Sequence, residues 1–293
     1  MADTQHPHEF LTVRELAELL RIKERKVYDL ASSGQVPCSR ATGKLLFPAD
    51  QVRAWIERTK SGATAPARRP DIFLGSHDPL LDWALRESRS GFATMFDSSL
   101  DGLRRFAAGE GAAAGLHVRE ADGGWNVATA KASVASQDAV LVRWVSRTRG
   151  LVVRPDLKDK VTGPKQLEGL HVARRQPEAG AEVLFRHILS EHGVDEARLT
   201  VTAPCRSEQD VVLAVQQGDA DVAFGMEAVA QPYGLAFVPL IEERFDLLVD
   251  RRAWFEPPMQ ALMAFVRTEA FRDRAGRLAG YEVADLGQVV WNA

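Results

Sequence analysis

Cysteine is nearly absent: Cys38 and Cys205 are the only two in 293 residues, and no Cys-x-x-Cys pair exists. Neither a disulfide framework nor a cysteine-held metal site is expected, and two free thiols suit a reducing compartment. Long apolar runs are missing too, which excludes a membrane-spanning helix. The first ten residues are polar, include His6 and His8, and lack a basic stretch followed by an apolar one, so no secretory signal is expected. The segment 109–115 is rich in Gly and Ala but is followed by no Gly-Lys-Ser/Thr, so it is no phosphate loop. No nucleophile–base pair, metal cluster or cofactor motif is evident. The expectation is a cytoplasmic protein that is not an enzyme, has no catalytic residues, and requires no metal or cofactor.

What is present is ordinary for a globular chain: 45% hydrophobic and 26% charged residues, with a net charge of −3. The length suggests two or three domains. Residues 1–60 carry a net +2, leaving −5 on the remainder. That asymmetry is mild, so the placement of the basic residues matters more than their number.

They gather between Thr12 and Thr59. Val13, Leu16, Ala17 and Leu20 share one helical face. Thr12 and Glu15 form a capping box ahead of them. After a turn at Arg21-Ile22, a second helix is expected over Lys23–Ser33, with Val27, Leu30 and Ala31 inward and Gly34 ending it. Its outer face carries Lys23, Arg25, Lys26 and Tyr28, side chains suited to a major groove. Gln35–Arg40 and Lys44–Phe47 read as two strands about a Thr42-Gly43 turn, with Arg40 and Lys44 placed to reach phosphates. Pro48 opens a third helix through Val52, Trp55, Ile56 and Thr59. A small helical interaction domain with a solvated basic face is the bland alternative. Leu11-Thr12-Val13, Glu15-Leu16-Ala17, Val27-Tyr28, Ser33-Gly34, Pro37 and the Phe47…Val52…Trp55-Ile56 close resemble excisionase-type DNA-binding domains, relatives of the MerR class. The resemblance implies a winged helix-turn-helix over residues 1–59.

Residues 60–70 break all periodicity and read as a linker, with Arg68 and Arg69 expected to be solvated. From Asp71 onward strands alternate with helices: Ile72–Leu74, a helix opened by Asp78-Pro79, Phe92–Phe96, a helix after Ser98-Ser99, Ala113–Val118, Ala139–Val145 and Gly150–Val153. Leu170–Ala173, a helix with Val183 to Leu189, and a helix capped by Ser207 and Asp210 follow. Then come Asp221–Gly225, Leu235–Val238, Phe245–Val249, and a helical stretch from Pro258 to Ala279 in two pieces. Such alternation predicts an α/β fold with parallel sheets and helices on both faces. Ligands then sit where strands end and helices begin. Those points carry Ser76, His77, Ser98, Ser99 and the 174–180 loop, and helix N-termini favour anions.

Gly75-Ser76-His77-Asp78-Pro79, Ser99-Leu100-Asp101-Gly102-Leu103, Arg149-Gly150-Leu151, Arg175-Gln176-Pro177, Gly218–Ala223, Phe237–Leu240 and Glu243–Leu247 resemble, in order and spacing, the periplasmic-binding-protein-like (type II) ligand domains. The likeness is to the cytoplasmic branch attached to molybdenum-related proteins and regulators. It implies two lobes, one of 71–147 plus 246–293 and the other of 148–245, with a ligand between. Two strands would cross between them near 145–154 and 239–249. Ser76 and Ser99 match the hydroxyls that hold molybdate or tungstate in the related binders. Glu178-Ala179-Gly180-Ala181 does not: a run such as Gly-Ser-Gly-Thr is usual there, and an inward Glu178 repels a dianion. Either Glu178 turns away and Arg174 or Arg175 supplies charge, or the ligand is another anion, a molybdenum-cofactor fragment included. Glu227, at a helix start, is a further candidate. His77, His117, Trp125-Asn126 and Tyr233 each admit a structural reading beside a ligand-facing one.

A periplasmic-type substrate-binding domain joined to a winged helix implies transcription regulation, with a small anionic effector acting on operator DNA. A homodimer or higher even oligomer would read a roughly palindromic site. The alternatives are an excisionase-like architectural protein and an enzyme on the same two-lobed fold.

Overall fold

A computed structural model describes residues 9–40, 43–59 and 68–293. Residues 1–8, Thr42 of the expected hairpin turn, and 60–67 of the expected linker lie outside these. The chain divides into two compact units, Met1–Ala67 and Arg68–Ala293.

The first unit contains β1 (Phe10–Leu11), α1 (Val13–Leu20), α2 (Glu24–Ser32), β2 (Phe47–Pro48) and α3 (Ala49–Arg58). The capping box at α1 is formed in both directions, with Thr12 N–H on Glu15 Oε2 at 2.7 Å and Glu15 N–H on Thr12 Oγ1 at 3.3 Å. α2 ends in a Schellman arrangement, with Gln35 N–H reaching Leu30 O and Gly34 N–H reaching Ala31 O. Gly34 has φ +67°, the left-handed region this cap requires. Leu16, Ala17, Val27, Ala31, Val36, Phe47 and Val52 make the core. The expected wing differs in detail. Ser39 and Leu46 form a single antiparallel bridge rather than two paired strands. Phe47 pairs instead with Leu11, a strand that the sequence reading did not assign. Val36 and Phe47 must enter the core, and that pull takes the segment away from regular hairpin pairing.

In the second unit β3 (Ile72–Gly75), α4 (Pro79–Glu87), β4 (Ala93–Phe96), α5 (Ser99–Ala107), β5 (Ala113–Leu116) and α6 (Val127–Val134) lead into β6 (Ala139–Val153). β7 (His171–Ala173), α7 (Gly180–Glu191), β8 (Thr200–Val201), α8 (Glu208–Gln217), β9 (Val222–Met226) and α9 (Glu227–Ala230) then lead into β10 (Ala236–Asp250). α10 (Pro257–Phe265), α11 (Glu269–Gly276), β11 (Tyr281–Glu282) and β12 (Val289–Asn292) close the chain. One ten-stranded sheet runs in the order β4-β3-β5-β10-β6-β9-β7-β8, with β11 and β12 also on β6. β3–β5 pair in parallel, as do β7–β9. β10 lies antiparallel to β5, and β6 to β9. No helix among the described residues is long and apolar enough to cross a membrane.

β6 and β10 pair from Ala139↔Asp250 to Val153↔Ala236, with register shifts at Pro239/Ile241 and Phe245/Asp246. They are the two crossing strands, and each is longer than expected. Ala139–Val145 and Gly150–Val153 are one strand, and so are Leu235–Val238 and Phe245–Val249. Lobe one packs Trp144 and Phe245 against α4, α10 and α11 on one face, with Phe271 entering from α11, and Leu248 against α5 and α6 on the other, with Leu103 and Phe106 entering from α5. Lobe two does the same with Phe185 and Phe224 on the α7 face and Val211, Val212 and Val215 on the α8 face. Parallel pairing is therefore confined to each lobe. Arg69 corrects another expectation: it is fixed to lobe one, bonding Asp250 Oδ2 at 3.0 Å and Gln137 Oε1 at 2.7 Å over the Phe106 ring. Arg68 stays exposed and pairs with Asp71.

α5 approaches β3 so closely that a Cβ on Gly102 would stand 2.5 Å from Gly75 N. Gly102→Ala gains about 1 kcal/mol of helix propensity, but it sets backbone against backbone, where overpacking costs about 1–3 kcal/mol or more. A net loss of stability is expected in chemical denaturation. Asp246, just past the second register shift, is fully buried, accepts from Asn126 Nδ2 at 2.7 Å and faces Arg143 Nη1 at 3.0 Å. Burial outweighs both partners and pushes its pKa up to about 6. The folded state therefore binds a proton that the unfolded state, with an Asp pKa of about 3.9, has released. Stability from this group falls as pH rises from about 4 to 6, by about 3 kcal/mol in all. Asp246→Asn should flatten that slope in denaturant melts across the same range; an unchanged slope would reject the assignment.

Candidate functional site

In the first unit, helical periodicity sets Arg25, Asp29 and Ser32 opposite Val27 and Ala31, with Tyr28 and Lys26 on the flanks. Lys23, at the N-cap of α2, and Arg25, Lys26, Tyr28, Arg40 and Lys44 are all exposed. Tyr28 shows 53% of its surface, a large side chain left without a place in the core. Asp29 on the same face escaped the sequence reading. A carboxylate there repels phosphates but can accept from a cytosine amino group.

In the second unit a cleft of about 710 Å³ lies between the lobes. Ser76 and His77 follow β3, and Phe96, Asp97 and Ser98 follow β4. From lobe two come Arg175, Gln176 and Glu178, the start of α7 at Ala179–Ala181, and Arg206, Ser207 and Glu208 at the start of α8. Strand ends and helix starts thus converge on it from both sides, as parallel β-α-β units dictate. Ser98 caps α5 through Asp101 N–H, and Ser207 caps α8 through Asp210 N–H.

Beneath the cleft is a buried ionic cluster. Arg147 and Arg149 sit two apart on β6 and so share a face, with Glu243 on β10 opposite Arg147. Glu243 Oε2 accepts from Arg147 Nε at 2.6 Å and from Arg149 Nε at 2.8 Å. Its Oε1 pairs with His117 Nδ1 at 2.7 Å. Arg147 Nη1 continues to Asp78 at 2.8 Å in lobe one, and Arg149 Nη1 to Glu208 at 2.8 Å in lobe two. Burial disfavours charge on Glu243, yet the two guanidiniums and His117 hold it well below the usual carboxylate range. Glu208 is likewise buried but depressed by Arg149 and Arg175. For His117 burial prevails over Glu243 and lowers its pKa. A neutral ring donating from Nδ1 leaves Nε2 as an acceptor. Tyr281 O–H donates to Asp78 Oδ2 at 2.6 Å, and burial raises its own pKa well above normal.

Of the eight ligand candidates, the cleft gathers Ser76, His77, Ser98, Arg175 and Glu178. Ser99 lies just behind it, bonded to Ser76 Oγ at 2.9 Å and accepting from His117 N–H at 3.0 Å. Arg174 and Glu227 are not among the lining residues. Arg174 lies over the Phe185 ring, bonded to Glu182 and Glu196 within lobe two. Glu227, at the start of α9, approaches Gly280 instead. Glu178 does line the cleft, so it does not simply turn away. His117 is hydrogen-bonded to Glu243 and also lines the cleft. Trp125 packs on the lobe-two core, under Arg119. Tyr233 accepts from Gln209 Nε2 on α8. The sequence reading missed Asp97, Asp101, Arg149, Arg206, Ser207 and Glu208 as lining residues. The Ser207–Asp210 box marked a helix start but not its direction.

The PBP superfamily domain matches residues 83–267 and a helix-turn-helix domain matches residues 10–60. Uncharacterized protein YvgK of Bacillus subtilis is 22% identical over 95% of this chain and 97% of its own length. A putative phosphate ABC transporter substrate-binding protein with bound phosphate from Clostridium perfringens superposes with a TM-score of 0.52 at 12% identity, over 72% of this chain and 98% of that one. The regulatory domain of MetR, a LysR family regulator from N. meningitidis, gives 0.51 at 12% identity, over 72% and 96%. At such identities these two structures show a shared fold alone. With its two lobes and their crossing strand pair, the chain belongs to the PBP superfamily domain family and carries a helix-turn-helix domain at its N-terminal end.

Proposed function

We propose that this protein is a cytoplasmic transcription regulator whose two lobes close on a small anionic effector and thereby change its affinity for operator DNA. One observation carries the effector class. Ser76, Ser98 and Ser207 hydroxyls, Arg149 and Arg175, and the starts of α5, α7 and α8 all meet in one cleft. Hydroxyls, guanidiniums and helix N-termini each favour negative charge. The C. perfringens protein of like fold holds a bound phosphate. Molybdate and tungstate are tetrahedral oxyanions like phosphate, and Ser76 with Ser98, in place of the expected Ser99, suits them. Asp97, Asp101, Glu178 and Glu208 line the same space and oppose a compact dianion, so the reading favours an anion with its charge at one end.

The DNA contacts divide by role: Arg25, Lys26 and Tyr28 in the groove, Lys23, Arg40 and Lys44 on phosphates. Two heads in a homodimer would read half-sites about one or more helical turns apart. A coupling of about 1–3 kcal/mol between cleft and head changes operator affinity several-fold to a hundredfold.

Melting curves of the whole chain with phosphate, sulfate, molybdate, tungstate and acetate test the cleft. An anion at about 100 times its Kd adds about 2.7 kcal/mol of stability. The gain should vanish in Ser76→Ala/Arg175→Gln, and the absence of a shift with every anion would sink the reading. For the head, DNA fragments enriched from a random library should bind Lys44→Ala more weakly whatever their sequence, with a shallower salt dependence by about one counterion. Arg25→Ala should alter which sequences are enriched. A sequence-selective loss in Lys44→Ala would reverse the two assignments.

A further inference from the structure

Beside the polar cleft lies a second chamber of about 420 Å³. Leu100 on the first turn of α5, Val118 and Ala121 after β5, and Val183 and Leu184 on the first turn of α7 give it an apolar lining. Leu100 is 59% exposed and Val183 55% exposed. Single exposed aliphatic side chains are ordinary. These two come from opposite lobes and line one space, at helix starts that otherwise gather hydroxyls and charges. The chambers share Ser98, His117, Glu178 and Gly180. What divides them is the His117 ring lying on Gly180, where an added Cβ would stand 2.9 Å from His117 Cε1. The absence of a side chain at 180 is what lets the lobes approach there.

A tetrahedral oxyanion displaces roughly the volume of two or three waters, at about 30 Å³ each. Such an ion occupies a small part of the 710 Å³ cleft and none of the 420 Å³ annex. Resting on the reading of the cleft as an anion site, we infer that the effector is an amphipathic organic acid. Its one anionic group sits among Ser76, Ser98, Arg149 and Arg175. Its body, a short alkyl chain or a single ring, passes His117 and lies between Leu100 and Val183. This arrangement accounts for the carboxylates on the cleft wall. A ligand charged at one end only can meet Arg175 while its uncharged part runs past Glu178. It also gives both lobes a share of the apolar body, so that closure buries Leu100 and Val183 together.

The test is calorimetry of the whole chain against straight-chain carboxylates from acetate to octanoate, with inorganic phosphate alongside. Burial of each methylene is worth about fourfold in affinity. Kd should tighten by about that factor per carbon and level off once the annex is full. Val183→Asp and, separately, Leu100→Ser should bring the hexanoate-to-acetate affinity ratio toward one, with melting curves verifying that each variant is folded. If phosphate and acetate bind but affinity is flat along the series, the amphipathic effector is overturned and the anion site stands. If the chain-length dependence survives both substitutions, the annex is not where the body lies and the inference fails. If neither phosphate nor any carboxylate binds, the anion site and the inference fall together.

Discussion

Glu243 accepts hydrogen bonds from Arg147, Arg149 and His117 in the stretch where β6 and β10 pass from one lobe to the other. A carboxylate and two guanidiniums without water are costly, and such clusters are poor sources of net stability. Their value lies in geometry. Removing one member leaves charges that no solvent can reach, so the cluster admits few arrangements. Arg147 is committed to Asp78, the N-cap of α4, and Arg149 to Glu208, on the first turn of α8. One carboxylate therefore fixes the start of a helix in each lobe relative to the crossing strands.

That commitment bears on what the cleft can sense. Arg149 lines the cleft while its Nε is held from below by Glu243 and its Nη1 by Glu208 on the cleft wall. On the proposed reading, an anion above it would compete with Glu208 for the same guanidinium, and for Arg175, whose Nη1 lies 3.5 Å from that carboxylate. Binding and the pose of α8 would then be linked through shared charge, with no need for a large distortion of either lobe.

The parts legible in the sequence were those governed by near neighbours. Thr12 with Glu15, Asp78 with Pro79, and Ser207 with Asp210 announce helix starts by bonds spanning a few residues. The family resemblance supplied the two lobes and their crossing strands. What stayed hidden depends on distant partners. Ser146–Arg149 and Glu242–Arg244 look like breaks in a strand, because buried charge has no periodic signature; the partners lie on the opposite strand at Glu243 and far off in sequence at Asp78, His117 and Glu208. α6 has no side-chain cap and an Ala-rich sequence, so neither end is marked. Arg174 and Arg175 are adjacent and chemically alike, yet the chain leaving β7 sends them to different surroundings. Arg174 meets Glu182, while Arg175, bridged to Cys205, faces the cleft, a choice fixed by the chain that pairs beside it rather than by residue type.

The pairing of Val153 with Ala236 has a topological consequence. Everything between those residues leaves and rejoins the β6–β10 pair at adjacent points, so most of lobe two is an insertion hung from one two-stranded stalk. Lobe one keeps the chain's way in, at Arg69, and its way out, at β12 on β6. A domain organised in this way can exchange its insertion without rerouting the rest of the polypeptide. Half of the cleft is a replaceable cassette, while the segment that carries the helix-turn-helix domain stays attached to the unchanged half.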